Sequence, residues 1–227
     1  MKKKNILFLS IFIIIIGFVL INITLIMNKL ILNNSNKAIG EMNSLTEDMI
    51  SRNQTRDAIY DYDAISDIDL LSVMKESSYD SSKYIVGQII IKDISLNLPI
   101  LKGITSSNLS AGAATMREDQ HMGEGNYTLA GHYNKNSNIL FGGIMHLKKG
   151  SIIFITDKRF IYKYRVYDTY VTSDKAINML SDTKSLEKGS PIITLMTCYY
   201  SSKTGKRYFV VGEYLTKYNY DIKLIGL

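Results

Sequence analysis

The chain has 227 residues, a net charge of +6, one cysteine and two prolines, Pro99 and Pro191. That length holds one large domain or two small ones, and so few cysteines and prolines exclude a disulfide framework and a proline-rich linker. Charge is unevenly spread, with lysines and no acid up to residue 40, an acid-rich stretch to residue 80 and a basic remainder.

Lys2, Lys3 and Lys4 precede an apolar run from Ile6 to Met27, broken only by Ser10, Gly17, Asn22 and Thr24. At 1.5 Å per residue the run reaches about 33 Å, enough to cross a hydrocarbon core of about 30 Å. It is longer than the apolar part of a signal peptide, and no small-x-small site follows Met27, so it predicts an uncleaved anchor over a cleaved leader. The lysines set residues 1–5 in the cytoplasm, 6–27 in the membrane and everything after Lys29 outside.

Residues 28–82 are rich in Asn, Ser and Asp, with helical spacing at Ile65, Ile68, Leu71 and Met74. This pattern predicts a solvated extracellular stalk, partly helical, that holds the next domain off the membrane. Asp67, Asp69 and Glu76 lack the glycine and spacing of a calcium loop.

The texture changes at residues 83–227. Val86, Ile89 and Ile91, then Ile94, Leu96, Leu98 and Ile100, have strand–turn–strand spacing. Leu109 to Asp119 reads as a short helix and loop, and Tyr127 to Ala130 as a strand ending at Gly131–His132. Ile152–Thr156 and Phe160–Tyr167 form a hairpin across Asp157–Lys158–Arg159. Asp174 to Lys188 suggests a short helix, and the strands Pro191–Thr197 and Tyr208–Leu215 complete the set. Seven or eight short strands with few helices predict a mostly β fold, a closed barrel of roughly 140 residues.

The strand from Pro191 ends on Cys198, the one cysteine of the sequence. A thiol there sits on a rigid element within reach of a surface groove, although a lone cysteine also packs as a small hydrophobe. Arg207 opens the following strand, and the short connection Tyr199–Lys206 pairs the two as a hairpin, which brings Arg207 close to Cys198. His132 occupies a comparable strand end. A thiolate attacks, and a free thiol needs an electropositive setting to form it. Histidine takes or returns a proton near neutral pH, and the arginine fork stabilises a developing oxyanion. Such a set suffices for acyl transfer through a thioester. His121 and His146 read as loop residues, and with a single cysteine they match no zinc spacing. No cofactor is expected, and a domain outside the membrane is not expected to meet nucleic acid.

These residues together resemble the sortases, the cysteine transpeptidases of Gram-positive cell surfaces. The resemblance runs from about Tyr84 to Leu215. It rests on Val-Gly-Gln-Ile-Ile-Ile at 86–91, Leu-Pro-Ile at 98–100, Leu-Ser-Ala-Gly-Ala at 109–113 and Asn-Tyr-Thr-Leu-Ala-Gly-His at 126–132. Thr-Leu-Met-Thr-Cys at 194–198 and Lys-Arg-Tyr-Phe-Val-Val at 206–211 complete it. It implies an eight-stranded sortase barrel, with Cys198 as nucleophile, His132 as general acid/base and Arg207 as the oxyanion or substrate-positioning group. Ala130 and Thr197 are expected to line the groove for an LPXTG-type sorting signal, cleaved between Thr and Gly. The acyl group then passes to an amine of a peptidoglycan precursor.

The anchor and the Thr-Leu-x-Thr-Cys strand look like class A, with class D as the alternative. An inactive barrel that binds peptide or wall polymer, and a thiol hydrolase, are the other readings. Some class A members bind calcium in the loop before the histidine strand. Here Glu118, Asp119 and Glu124 share that loop with Arg117, so no metal is expected and activity is predicted to be independent of calcium.

Overall fold

In the computed structural model, which describes residues 2–68, 73–74 and 79–226, helix α1 runs unbroken from Lys2 to Ser44. Its first half is exposed and apolar, and it fits a single-pass membrane anchor by length and composition. Its second half is not free in solvent. Ala38 and Met42, with Leu45 and with Ile50 of α2 (Glu47–Gln54), pack on Ile85, Leu101 and Ala111 of the domain beyond. The polar composition of residues 28–82 suggested a solvated stalk, yet within 28–68 Ile31, Ala38, Met42, Leu45, Ile50 and Ile65 are buried, while Leu32, Met49 and Ile59 are exposed, so one side of the segment packs on the domain. Leu71, Asp69 and Glu76 lie outside the described residues.

The domain is a closed barrel in the order β1-β2-β3-β4-β7-β8-β6-β5. The strands are β1 (Ile85–Ile91), β2 (Leu96–Leu101), β3 (Ala113–Thr115), β4 (Asn126–Ala130), β5 (Ile152–Thr156), β6 (Phe160–Ser173), β7 (Ile192–Cys198) and β8 (Lys206–Asn219). Closure removes unpaired edges. Inward residues such as Ile89, Leu129, Tyr164, Leu195 and Val210 fill the interior. Two departures from the expected pattern stand out. The stretch read as helix and loop after Leu109 contains β3, three residues long and built of Ala-Ala-Thr, which lacks a β-branched run. In addition, β6 and β8 extend past the hairpin lengths expected, pairing from Phe160↔Asn219 to Ser173↔Lys206 with bulges at Lys163/Tyr164 and Val166/Asp168.

Three of these strands position the site. β4 and β7 pair in parallel, Ala130 beside Met196, so both end at the same rim. β8 returns antiparallel to β7 from that rim.

Candidate active site

The β7–β8 register sets Cys198 directly opposite Arg207. On the other side of β7, the Gly131 N–H donates to the Met196 carbonyl (3.0 Å) and the Thr197 hydroxyl donates to the Gly131 carbonyl (2.8 Å). These two bonds continue the pairing past the end of β4 and deliver His132 to the rim. The Ala-Gly-His sequence has a steric reason, since a Cβ on Gly131 would lie 2.4 Å from the Phe141 ring. Phe141 in turn donates its N–H to the His132 carbonyl (3.1 Å).

His132, Cys198 and Arg207 are all buried, under one strap of chain. The strap runs from Tyr60, which bridges to Ile104, to Asp67. Gly103 is left-handed (φ +85°) and passes so close to the strap's root that a Cβ there would meet the Ile59 carbonyl at 2.5 Å. The Tyr62 hydroxyl donates to the Met116 carbonyl (2.6 Å). The Ile65 carbonyl accepts from Arg207 Nη2 (3.0 Å) and from Cys198 Sγ (3.8 Å). The next backbone unit, Ser66, is hydrogen-bonded to the His132 imidazole. Asp67 accepts from the Ser201 hydroxyl and the Ser202 N–H, both at 2.7 Å. Three consecutive strap residues therefore touch the thiol, the guanidinium, the imidazole and the turn that joins β7 to β8.

The cover sets the protonation states. Burial draws His132 down to about 4, against the upward pull of the Ser66 bond and the Asp67 charge. Burial also pushes the Cys198 thiol up, a push that the Arg207 charge opposes and Asp67 and Asp174 reinforce. Under the strap both groups are neutral near pH 7. The His132 Nδ1 is buried without a hydrogen-bond partner.

Beside Arg207 lies an apolar cleft of about 520 Å³ lined by Met116, Ile177, Leu180, Met196 and Phe209, with Ile65 from the strap. Ala130 and Thr197 are wholly buried and are absent from this lining. Thr197 instead ties down the turn into His132. The cleft walls are joined by Arg117. Its guanidinium donates to both carboxylate oxygens of Asp182 (2.9 and 3.2 Å), to the Leu180 carbonyl (2.9 Å) and to Asp119 (3.1 Å). Asp182 also accepts from the Asn126 N–H, 2.8 Å away, at the start of β4. The Arg117 guanidinium thus lies between Asp119 and Asp182, and a positive charge held there opposes a divalent ion. Among the described residues no three His, Cys, Asp or Glu side chains gather as metal ligands.

Sequence reasoning had the three rim residues but missed Ile65, Ser66 and Asp67. The available signal was the alternation of Tyr60, Tyr62 and Ala64 with Asp61 and Asp63, which the acidic composition masked.

A closed eight-stranded barrel whose rim gathers a cysteine, an arginine and a histidine under one strap, with an apolar cleft beside the arginine, defines the class of sortase-type cysteine transpeptidases. The sequence matches the sortase domain over residues 89–215. It is 36% identical over 213 residues to sortase A of Listeria monocytogenes, covering 94% of this chain and 91% of that protein. It is 31% identical over 195 residues to sortase A of Streptococcus agalactiae, covering 84% and 76%. The crystal structure of the Listeria monocytogenes sortase A superposes with a TM-score of 0.57 at 37% identity, over 64% of this chain and 94% of that one. The chain belongs to the sortase family.

Proposed function

We propose that this protein is a membrane-anchored transpeptidase of the sortase A type, with its N-terminus in the cytoplasm and its barrel facing the cell wall. Its donor is an LPXTG-type sorting signal, cleaved between Thr and Gly, and its acceptor is an amine of a peptidoglycan precursor. The observation that carries this reading is the Ile65 carbonyl, a peptide oxygen held by Arg207 with Cys198 beside it. A substrate carbonyl in that place is polarised by the guanidinium and exposed to the sulfur.

With the strap displaced, His132 takes the thiol proton of Cys198, and the resulting thiolate attacks the threonine carbonyl carbon. Its π electrons move to oxygen, and Arg207 stabilises the resulting oxyanion. Collapse of this intermediate expels the glycine amine, which takes a proton from His132. The donor now sits on Cys198 as a thioester. The acceptor amine, losing its proton to His132, attacks the thioester and releases the thiolate. The apolar cleft beside Arg207 receives the Leu and Pro side chains of the signal.

The test is the intact mass of the protein after incubation with an LPXTG-type peptide. The parent gains the acyl fragment, and Cys198→Ala does not. An adduct that survives in Cys198→Ala would refute the assignment.

A further inference from the structure

The anchor and the barrel share one helix, and the contacts along that helix fall in a fixed order. At its lower end the Asn28 side-chain oxygen accepts from Asn134 Nδ2 (3.0 Å). Higher up, Lys37 Nζ donates to the Tyr79 carbonyl (2.7 Å) and the Ser81 hydroxyl to Glu41. At the top, Lys158 Nζ donates to the carbonyls of Asn43 (3.0 Å) and Leu45 (2.6 Å). From Asn28 to Asn43 the helix climbs about 22 Å. The turn that follows His132 is therefore at the foot of the helix, and the β5–β6 turn is at its head.

Asn28 directly follows Met27, the last residue of the apolar run. The headgroup layer adds about 5–7 Å beyond the hydrocarbon on each side, so the residue that Asn134 touches lies at headgroup depth. At the outer end of the run Met27 is half-buried, as is Asn28 itself, while Thr24 to Ile26 are exposed.

The chemistry of this face suits a phospholipid surface. Tyr133 packs edge-on against Tyr200 (5.9 Å between ring centres), and Tyr199 lies 4.5 Å from Tyr200. Tyr200 is 59% exposed and is held with a positive φ of 63°. Rings with an apolar body and a polar tip concentrate at bilayer interfaces. The turn Tyr133–Asn138 and the connection Tyr199–Lys206 contain no acid and carry Lys135, Lys203 and Lys206, with Lys29 on the adjoining helix. Two acids touch this connection, Asp67, latched to Ser201 and Ser202, and Asp174, whose N–H donates to the Gly205 carbonyl (3.0 Å). Exposed lysines at this depth attract anionic headgroups.

We propose that the barrel rests on the phospholipid headgroups through Tyr133–Asn138 and Tyr199–Tyr200, with the rim that bears His132 and Cys198 at the bilayer surface. The proposal rests on reading residues 6–27 as a membrane anchor and on the transpeptidase reading. Its consequence is that a lipid-carried amine reaches the thioester without leaving the membrane, as it could not if the barrel stood off on a flexible stalk.

The test uses the full chain in phosphatidylglycerol vesicles. In a Cys198→Ala background, a fluorophore is attached at Asn136→Cys or at Arg159→Cys, both exposed in the parent, and quenched by a headgroup-labelled lipid. Quenching several-fold stronger at 136 than at 159 is expected. Equal quenching at the two sites, protection of the 136 label by cell-wall fragments instead of lipid, or failure of the protein to float with the vesicles overturns the proposal.

A second arm keeps Cys198 and inserts seven helix-forming residues after Met27, lifting the barrel by about 10 Å on the same helix face. Turnover of a soluble signal peptide with a soluble amine should stay the same, while transfer to a lipid-linked amine falls at least tenfold. Unchanged transfer overturns the proposal. If neither parent nor insertion variant forms an acyl adduct with the soluble peptide, the transpeptidase reading fails, and the quenching pattern still decides the orientation.

Discussion

The β7–β8 pair and the strap across it meet at the same three side chains but are held by different forces. β7 and β8 are joined by a continuous backbone ladder from Ile192↔Glu213 to Cys198↔Arg207, with β4 and β6 on their flanks. The strap has one isolated bridge, a few side-chain hydrogen bonds and the burial of Ile65. Burying one isoleucine contributes about 1.5–3 kcal/mol, far less than a barrel strand's packing. Segments with few buried contacts open at lower free energy than the global fold. The reactive groups are thus fixed and their cover is loose, an arrangement in which the site is preorganised while access to it is variable.

The largest effects should come from the fixed side. Beyond the loss of the adduct in Cys198→Ala, Arg207→Ala should lower kcat by about 10²–10³, the usual cost of losing one oxyanion donor. His132→Ala should lower it by about 10²–10⁴ through the lost proton transfer. Single-turnover rates with a fluorogenic signal peptide measure both. Thermal melting should show that the barrel still folds, because neither side chain belongs to the interior cluster around Leu129 and Leu195. Wild-type turnover in either variant would remove that residue from the mechanism.

The loose side should respond in the opposite direction. Ile65→Gly removes the strap's main apolar contact, so alkylation of Cys198 by a small thiol reagent should speed up about tenfold or more while the melting temperature changes little. An unchanged alkylation rate would mean that the strap is as rigid as the ladder beneath it.

A pH dependence sharpens the same contrast. His132 is held at about 4 under the strap and returns toward its ordinary value near 6.5 once uncovered. The uncovered state therefore binds more protons between these values. The covered state has its full stability above about pH 6.5 and loses it progressively as pH falls toward 4. Asp67 behaves differently. Burial alone would raise its pKa, but hydrogen bonds from Ser202 and Ser201 outweigh that and hold it below the ordinary value, so the latch weakens only at lower pH. Amide exchange at Ser66 and Asp67, corrected for intrinsic rates, should rise several-fold between pH 7 and pH 5 in the parent. It should stay flat in His132→Ala. A rise of equal size in both would assign the effect to another group.

The smallest effect is expected at Arg117. Arg117→Ala frees the connection that bears Leu180 from the loop before β4, so KM for the signal peptide should rise several-fold with kcat little changed. Chelators and added calcium should leave the parent unaffected. A loss of turnover on chelation that calcium alone restores would show that an ion, rather than the guanidinium, joins these loops.

How much of this was legible in the sequence follows from how local each cause is. Cys198 and Arg207 flank a short connection, so their proximity needed only a hairpin. His132 arrives through the parallel β4–β7 pair, a pairing between distant segments that periodicity cannot show, and only the Ala-Gly-His motif pointed to it. β3 was hidden because Ala113–Thr115 takes its conformation from its neighbours rather than from its own side chains. The strap was hidden by composition. Asp61, Asp63 and Asp67 made it look solvated, whereas Asp67 is a ligand for two serine groups and Ile65 is buried. Arg117 was noticed as an argument against a metal, but its grip on Asp182 and Leu180 depends on a loop more than sixty residues away.

The solitary thiol has a practical consequence outside the reaction. While unfolded, the chain has no second sulfhydryl of its own with which to crosslink, so it cannot be trapped in a misfolded, internally bridged form. For the same reason, one equivalent of reagent consumed by denatured protein, set against the slower consumption by folded protein, counts competent molecules in any preparation.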